Sequence, residues 1–160
     1  MITLVLGGAR SGKSSVAERM AEASTADVVY VATGIITDDD MAERIEVHRR
    51  RRPPAWATIE TSDVAAAVRA SSGRTILVDS LTTWVAAAPD FDVDLAGLAG
   101  ALAAHDADAI VVSDEVGLGV HPETEVGRRF RDALGTVNRG VGDVADEVLL
   151  VVAGRTLRLT

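Results

Sequence analysis

The stretch Gly7–Ser14 reads "GGARSGKS" and matches the pattern G-x-x-x-x-G-K-S. An apolar, β-branched run (Ile2–Leu6) precedes it, and "SSVAERMAEA" (Ser14–Ala23), which is typical of a helix, follows it. A glycine loop between a buried strand and a helix points successive backbone N–H groups into one concavity that holds phosphate oxygens. The pattern therefore predicts that Lys13 reaches the β- and γ-phosphates of a nucleotide and that Ser14 places its hydroxyl on Mg²⁺.

The basic residues of the chain support this interpretation of the loop. The 16 basic residues comprise 15 arginines and a single lysine, Lys13. Arginine and lysine are not interchangeable, because lysine carries a compact ammonium group and arginine a planar fork. The lysine at this one position therefore indicates a requirement for an ammonium group.

Strand-like and helix-like stretches alternate through the rest of the chain. Strands are predicted for "DVVYVAT", which ends near Thr33, and for "WATIE", "RTILVDS" and "DAIVVSD". Helices are predicted for "TDDDMAERIEVHR" with Thr37 as its N-cap, for "SDVAAAVRA", for "LAGLAGALAAH", and from Pro122 through "ETEVGRRFRDALGTVNRGV". "DEVLLVV" and "TLRL", joined by "AGR", predict a closing β-hairpin.

This alternation predicts an α/β fold of the P-loop NTPase type, with a doubly wound, mainly parallel sheet and a C-terminal antiparallel hairpin. Residues 1–160 are expected to form one kinase or nucleotidyltransferase domain, because their number suits a single compact core. Ligands of such sheets bind at the carboxyl ends of the strands. The residues that follow each strand are therefore the candidates for a site.

The composition excludes several classes of function. A formal net charge of -8 argues against non-specific nucleic-acid binding, which needs an excess of Lys and Arg. The chain has no cysteine, so disulfides and thiolate metal sites are excluded. No apolar run approaches the ~20 residues that span a bilayer, and "MITLVLGG" is too short for the core of a signal peptide. We therefore expect a cytoplasmic protein without a membrane span.

Two of the predicted strands end in carboxylates. Asp79 ends "TILVD", the usual position for the second Mg²⁺-organising group of a phosphate-loop protein. An N-cap or a solvated strand end is the alternative for this residue. Asp114 and Glu115 end another strand and are candidates for metal or substrate contacts, or for the start of a loop.

One histidine stands in an unusual context. His48 follows Arg44 by one helical turn and shares a predicted helix face with Met41 and Ile45, as a half-buried core histidine would. Four arginines follow it: Arg49, Arg50, Arg51 and Arg52. Such a positive field keeps an imidazole neutral, and a neutral imidazole is a nucleophile. The stretch therefore also fits a nucleophile within a polyphosphate clamp.

Taken in order, five stretches resemble the bifunctional adenosylcobinamide kinase / adenosylcobinamide-phosphate guanylyltransferase family of cobalamin biosynthesis. They are "GGARSGKS", "YVATG", "DDDMAERIEVHRRRRPPAWATIE", "ILVDSLTTW" and "SDEVGLGVHPETEVGRRFRDALGTVNRGVGDVADEVLLVVAG". Outside about Ala86 to Asp108, the resemblance covers the chain. The combination of R-I-x-x-H with E-V-G-L-G is more specific than the phosphate loop, which many families share.

The resemblance implies two reactions. A nucleoside triphosphate, ATP or GTP, phosphorylates the hydroxyl of the aminopropanol arm of adenosylcobinamide. GTP then guanylylates His48, and the GMP passes to the cobinamide phosphate, giving adenosylcobinamide-GDP and pyrophosphate. The resemblance also implies a homo-oligomer, with a trimer as the best expectation.

The resemblance assigns site residues as well. His48, Lys13 and Asp79 would be catalytic, Ser14 and Asp79 would hold Mg²⁺, and Glu60 would accept hydrogen bonds from the donors of guanine. The nucleotide contacts would fall on Gly7, Gly8, Ala9, Arg10, Ser11, Gly12, Lys13, Ser14, Ala32, Thr33, Gly34, Arg49, Arg50, Arg51, Arg52, Glu60 and Asp79.

Three features depart from the family pattern. Asp114 stands where many relatives have asparagine, His121 where an aliphatic residue is expected, and the segment from Ala86 to Asp94 is short. Two other functions stay open beside the bifunctional enzyme. One is a plain small-molecule kinase in which His48 is structural. The other is a nucleotide-dependent switch that acts on a protein partner.

Overall fold

The computed structural model describes residues 1–34 and 53–159, and these residues form a seven-stranded sheet flanked by helices. The strands are β1 (Ile2–Gly7), β2 (Val28–Ala32), β3 (Ala57–Glu60), β4 (Thr75–Asp79), β5 (Ala109–Asp114), β6 (Glu147–Val152) and β7 (Arg155–Arg158). The α-helices are α1 (Lys13–Glu22), α2 (Val64–Arg69), α3 (Leu81–Ala87), α4 (Leu95–Ala103) and α5 (Glu125–Gly142). The helix predicted to begin at Thr37 lies outside the described residues.

The strands of the described residues lie in the order β3-β2-β4-β5-β1-β6-β7. β1 to β6 run parallel, and β7 pairs antiparallel with β6. The predicted α/β fold with a mainly parallel sheet and a C-terminal hairpin is therefore confirmed. Because parallel strands end at the same edge, the loops after β1, β2, β4 and β5 meet there.

Helices cover both faces of the sheet. Leu4 and Leu6 of β1 pack into the layer formed with α2, α3, α4 and α5, whereas Val5 between them packs toward α1. Side chains that alternate between two covered faces require central strands that are largely apolar, as β1 is apart from Thr3. Within the described ranges, no helix is long and apolar enough to cross a membrane.

The predicted start of the last helix at Pro122 is wrong. α5 begins at Glu125, and Thr124 is its N-cap, with its hydroxyl accepting a hydrogen bond from the N–H of Gly127 at 3.1 Å. A threonine in this position satisfies one of the N–H groups that a helix start leaves unpaired. Proline satisfies none, so the helix begins at the cap.

α3 is a helix that the strand-and-helix pattern did not predict. Ser80 is its N-cap, and the Ser80 and Thr83 side chains each accept a hydrogen bond from the other residue's backbone N–H, at 3.4 and 3.3 Å. In the short segment from Ala86 to Asp94, α3 ends, a 3₁₀ turn covers Pro89–Phe91, and Asp94 caps α4. The segment therefore holds the end of a helix and a tight turn.

The hairpin between β6 and β7 closes with a two-residue turn, Ala153 and Gly154, that adopts positive φ angles of 50° and 74°. Two consecutive positive φ values characterise the turn whose twist matches that of paired strands. The N–H of Gly154 donates a hydrogen bond to the carbonyl of Ser11 at 2.8 Å. The hairpin turn therefore braces the glycine loop.

Candidate functional site

The glycine loop joins β1 to α1 at the carboxyl edge of the sheet. Gly7 is buried, and a Cβ there would meet the carbonyl of Val151 at 2.7 Å as well as the Ser11 side chain. Gly12 has φ 95°, a left-handed conformation that glycine adopts without strain. The loop therefore requires glycine at both ends of its turn, for close packing at Gly7 and for backbone conformation at Gly12.

Lys13 is the first residue of α1, so its side chain starts at the helix N-terminus where anions bind. Its Nζ donates to the carbonyl of Gly8 at 3.3 Å and forms an ion pair with Oδ1 of Asp114. The side chains are 13% and 24% exposed, respectively. The lysine of the loop is thus held by a carboxylate from the end of β5.

Asp114 is positioned by three elements. It pairs with Gly7 in the register of β1 and β5, which sets it beside the first residue of the loop. Its N–H donates to Thr82 Oγ1 of α3 at 2.8 Å, and its carbonyl accepts from Asn138 Nδ2 of α5 at 3.0 Å. The backbone of this strand end is therefore fixed on both sides.

Asp79 ends β4, and the hydroxyl of Tyr30 in β2 donates to its Oδ2 at 2.9 Å. Ala32 lies between Asp79 and Glu60 in the registers of β2 with its two neighbours. Glu60 is exposed. The structure therefore brings three sequence-predicted residues, Glu60, Ala32 and Asp79, into one row across the carboxyl edge.

Thr33, another predicted site residue, is buried. Its hydroxyl donates to the carbonyl of Ser80 at 2.6 Å, accepts from the Ser80 N–H at 2.9 Å, and lies 2.7 Å from the Thr83 hydroxyl. The Thr33 side chain thus fixes the end of β2 to the start of α3. Gly34 follows it at the limit of the described residues.

Several predicted site residues lie outside the described residues. They are His48, Arg49, Arg50, Arg51 and Arg52, together with Arg44. In the loop, Gly8, Ala9 and Arg10 are exposed, while Ser11 and Ser14 are partly buried. The described part of the site therefore consists of the phosphate loop and the ends of β2, β3, β4 and β5.

The other two histidines lie in structural contacts. Nε2 of His105 is 3.0 Å from the carbonyl oxygen of Arg74, just after α4. His121 is exposed, and its Nδ1 lies 2.7 Å from a guanidinium nitrogen of Arg131. Neither of these contacts involves the glycine loop.

Three residues of the site were missed by sequence reasoning: Tyr30, Thr82 and Asn138. Two of them carry a signal in the sequence. Tyr30 is the one tyrosine of the chain and stands inside an apolar strand. Asn138 shares the buried face of α5 with Leu134, Val137 and Val141. A polar side chain on a buried face needs a hydrogen-bond partner, which for Asn138 is the carbonyl of Asp114.

The oxygen donors at the edge suit Mg²⁺. Ser14 supplies a hydroxyl and Asp79 a carboxylate, and Mg²⁺ typically takes one or two protein oxygens together with substrate phosphates. Among residues 1–34 and 53–159, no group of three or more His, Cys, Asp or Glu side chains could hold a metal by itself. The hydroxyl of Ser14 and the carboxylate of Asp79 are donors of the kind that would hold Mg²⁺ together with the phosphates of a nucleotide.

Comparison with known proteins identifies a family that matches almost the whole chain. Residues 3–159 match the family model described as cobinamide kinase / cobinamide phosphate guanyltransferase. A Pseudomonas aeruginosa protein named bifunctional adenosylcobalamin biosynthesis protein CobP is 39% identical over 168 residues, 99% of this chain and 97% of the relative. The Escherichia coli and Salmonella typhimurium proteins named bifunctional adenosylcobalamin biosynthesis protein CobU are 36% and 37% identical, each over 96% of this chain and 97% of the relative.

Solved structures share the fold at low sequence identity. An ATPase from the type III secretion system of pathogenic bacteria matches 98% of this chain and 56% of its own, with a TM-score of 0.53 and 11% identity. A Pyrococcus horikoshii protein matches 98% of this chain and 84% of its own, with a TM-score of 0.55 and 8% identity. These similarities show that the chain shares its overall fold with these proteins.

Proposed function

The chain belongs to the cobinamide kinase / cobinamide phosphate guanyltransferase family, and from that membership we propose how its residues divide two reactions. The chain is a bifunctional enzyme of adenosylcobalamin biosynthesis, as its curated relatives are named. The observation that supports a nucleotide site is that the glycine loop with Lys13 and the end of β4 with Asp79 lie at the same edge of the sheet. Residues 1–160 act as a single domain in this proposal.

In the kinase reaction, Gly7–Ser14 binds the triphosphate of ATP or GTP. The hydroxyl oxygen of the aminopropanol arm of adenosylcobinamide bonds to the γ-phosphorus, and the bond from that phosphorus to the β,γ-bridging oxygen breaks. The hydroxyl proton is lost, and a nucleoside diphosphate leaves. Lys13 and the backbone N–H groups of the loop stabilise the charge that moves onto the leaving phosphate.

Mg²⁺ would be held by the hydroxyl of Ser14 and the carboxylate of Asp79. When bound, such an ion neutralises negative charge on the β- and γ-phosphates. The hydrogen bond from Tyr30 to Asp79 supports this assignment, because ligating carboxylates are oriented by hydrogen bonds of their own.

In the guanylyltransferase reaction, His48 is the nucleophile. Its imidazole nitrogen bonds to the α-phosphorus of GTP, and pyrophosphate leaves with the bridging oxygen. The kinase reaction has by then phosphorylated the hydroxyl of adenosylcobinamide. An oxygen of that phosphate bonds to the phosphorus of the GMP group, and the bond from this phosphorus to the nitrogen of His48 breaks. The arginines hold the triphosphate for this attack: Arg49, Arg50, Arg51 and Arg52.

The end of β3 selects the base in this proposal. Glu60 accepts hydrogen bonds from the N1–H and 2-amino groups of guanine, donors that adenine lacks. Its exposure and its position beside Ala32 at the carboxyl edge support the assignment. Ala32, Thr33 and Gly34 contribute the neighbouring contacts to the nucleotide.

The assembly and location of the enzyme are part of the proposal. We infer a homo-oligomer, with a trimer as the preferred state, in the cytoplasm where ATP and GTP are available. The substrates are adenosylcobinamide, its phosphate and the two nucleotides, and no nucleic acid takes part.

Labelling with nucleotide tests the proposal. GTP labelled on the α-phosphate should leave a GMP adduct on His48 that is stable in base and labile in acid, while GTP labelled on the γ-phosphate should leave none. His48→Ala should lose the adduct and the transfer of GMP but still phosphorylate cobinamide. His121→Ala is the matched control and should label normally, because His121 is exposed and contacts Arg131.

Other outcomes favour other functions. An enzyme that phosphorylates cobinamide without forming an adduct would be a plain kinase. Nucleotide hydrolysis that needs a protein partner, with no transfer to cobinamide, would indicate a switch. An adduct on Lys13, or full GMP transfer by His48→Ala, would return His48 to the role of a core histidine.

A further inference from the structure

The ammonium group of Lys13, which is expected to bind phosphate, already forms an ion pair with a carboxylate of the protein. Lys13 Nζ lies in an ion pair with Asp114 Oδ1, and both side chains are largely buried. A phosphate that binds Lys13 must replace this carboxylate or share the ammonium group with it.

Hydrogen bonds to its backbone restrain Asp114 from moving away from the glycine loop. Thr82 accepts from its N–H and Asn138 donates to its carbonyl, so α3 and α5 both hold its backbone. The strand register sets it opposite Gly7, the first residue of the loop. The backbone of Asp114 therefore stays in place when Lys13 changes partner, and its carboxylate would then lie with a bound phosphate near one ammonium group.

We infer that Asp114 is a positioning residue that competes with phosphate for Lys13 and so sets the affinity of the loop for nucleotides. The inference rests on the proposed binding of triphosphate by Gly7–Ser14. The competition acts on groups that reach Lys13, which are the β- and γ-phosphates and the pyrophosphate product. It therefore holds Lys13 in place before a nucleotide binds and weakens the binding of pyrophosphate and nucleoside diphosphate once transfer is complete.

The experiment tests whether the negative charge of Asp114, rather than the shape of its side chain, weakens the binding of nucleotide. Asp114→Asn keeps the size of the side chain and its backbone contacts but removes the negative charge. Calorimetric titration in EDTA, without divalent metal, should show GTP and pyrophosphate binding about tenfold more tightly to this variant than to the wild-type enzyme, since unpairing a buried ion pair is costly. GMP, which has no β-phosphate, should change by less than about twofold.

Matched variants separate this effect from a general change of charge. Asp92→Asn removes the same charge from an exposed residue and should leave the affinity for GTP unchanged. Asp114→Glu keeps the charge and should also keep the wild-type affinity within about threefold. In a Lys13→Ala background, Asp114→Asn should no longer tighten the binding of pyrophosphate, because the contested group is absent.

Weaker or unchanged GTP binding by Asp114→Asn, or equal tightening of GMP and GTP, would overturn the inference while leaving the proposed function intact. Failure of the wild-type enzyme to bind GTP at all would overturn both. If Asp114→Asn does not fold, Thr82→Ala provides the second test. That variant frees the N–H of Asp114 and should tighten pyrophosphate binding in the same direction by a smaller factor, and no change would count against the inference.

Discussion

The ends of β4 and β5 are neighbours that each close in an aspartate, and the two aspartates have different partners among the described residues. Asp79 closes "ILVD" and receives a hydrogen bond from the neutral hydroxyl of Tyr30. Asp114 closes "VVSD" and pairs with the ammonium group of Lys13. Each carboxylate sits at the same edge of one parallel sheet, so their positions do not distinguish them.

The difference lies in what each partner does to the charge. A hydroxyl donor orients a carboxylate and leaves its charge in place, which suits a group that holds a cation. An ammonium partner cancels the charge, which suits a group that is exchanged when an anion arrives. In the proposed site, the two aspartates on adjacent strands would act on ligands of opposite sign, with Asp79 holding a cation and Asp114 competing with a phosphate.

Removing Lys13 should have the largest effect on turnover. It removes the ammonium group that is expected to bind the phosphates and that forms the ion pair with Asp114. Lys13→Ala should lower the turnover of both half-reactions by about 100- to 1000-fold, the usual loss for one donor to a developing charge. Circular dichroism and thermal melting should show that the sheet survives. Phosphorylation of cobinamide at the wild-type rate would contradict the assignment of the phosphate loop.

Removing the charge of Asp79 should impair the enzyme, whereas removing the charge of Asp114 should tighten the binding of nucleotide. Asp79→Asn should reduce turnover by about 100-fold and raise the Mg²⁺ concentration that gives half the maximal rate, since a cation loses a charged ligand. Titrating Mg²⁺ in a steady-state kinase assay measures both quantities, with Asp92→Asn as the control of equal charge. An unchanged Mg²⁺ dependence would remove Asp79 from the metal site.

Tyr30→Phe tests the surroundings of Asp79 without changing the aspartate itself. It removes the hydroxyl that orients Asp79 and leaves the buried ring, so the free energy of unfolding should fall by about 0.5–1.5 kcal/mol. The Mg²⁺ requirement should rise less than in Asp79→Asn, and the affinity for pyrophosphate should stay as it is. Urea titration and the same Mg²⁺ titration provide the measurements.

Asp106 provides a structural reference for a carboxylate held by neutral donors. The N–H of Gly73 and the hydroxyl of Ser72 donate to it and lower the pKa of its side chain below the ordinary aspartate value. Since the folded pKa is the lower one, the charged form stabilises the fold above about pH 3.9, and this contribution is lost as the pH falls through the folded pKa.

Asp106→Asn should therefore weaken that acid-side dependence without changing turnover at neutral pH. Melting temperatures measured between neutral pH and the acid limit of folding would show it, as a smaller fall in the variant than in the wild-type enzyme. Equal slopes for both proteins would mean that the hydrogen bonds contribute no pH-dependent stability.

The local part of the site was predictable from the sequence, and its long-range part was not. The glycine loop, the strand before it and Asp79 at a strand end are all encoded within short stretches. Asp114 lies 101 residues beyond Lys13, and Asp79 lies 49 beyond Tyr30. Such pairs depend on strand order and register, which periodicity does not specify.

Helix boundaries show a related limit. α3 was missed because its start depends on side-chain contacts between Ser80 and Thr83 rather than on a long apolar repeat. α5 begins three residues after Pro122 because Thr124 caps it. In both cases a short polar contact at the helix N-terminus decides the boundary, and the polar pattern that encodes it was present in the sequence.

The position of β1 between β5 and β6 has a consequence for the order in which the enzyme becomes complete on the ribosome. β1 is made before both of its strand partners, which begin at Ala109 and Glu147, and before Gly154, whose N–H donates to the carbonyl of Ser11. The phosphate loop therefore reaches its final surroundings only after β5, β6 and Gly154 have been synthesised. Pairing across such distances slows folding and leaves an apolar strand uncovered during synthesis. Chaperone dependence would be concentrated in this interval.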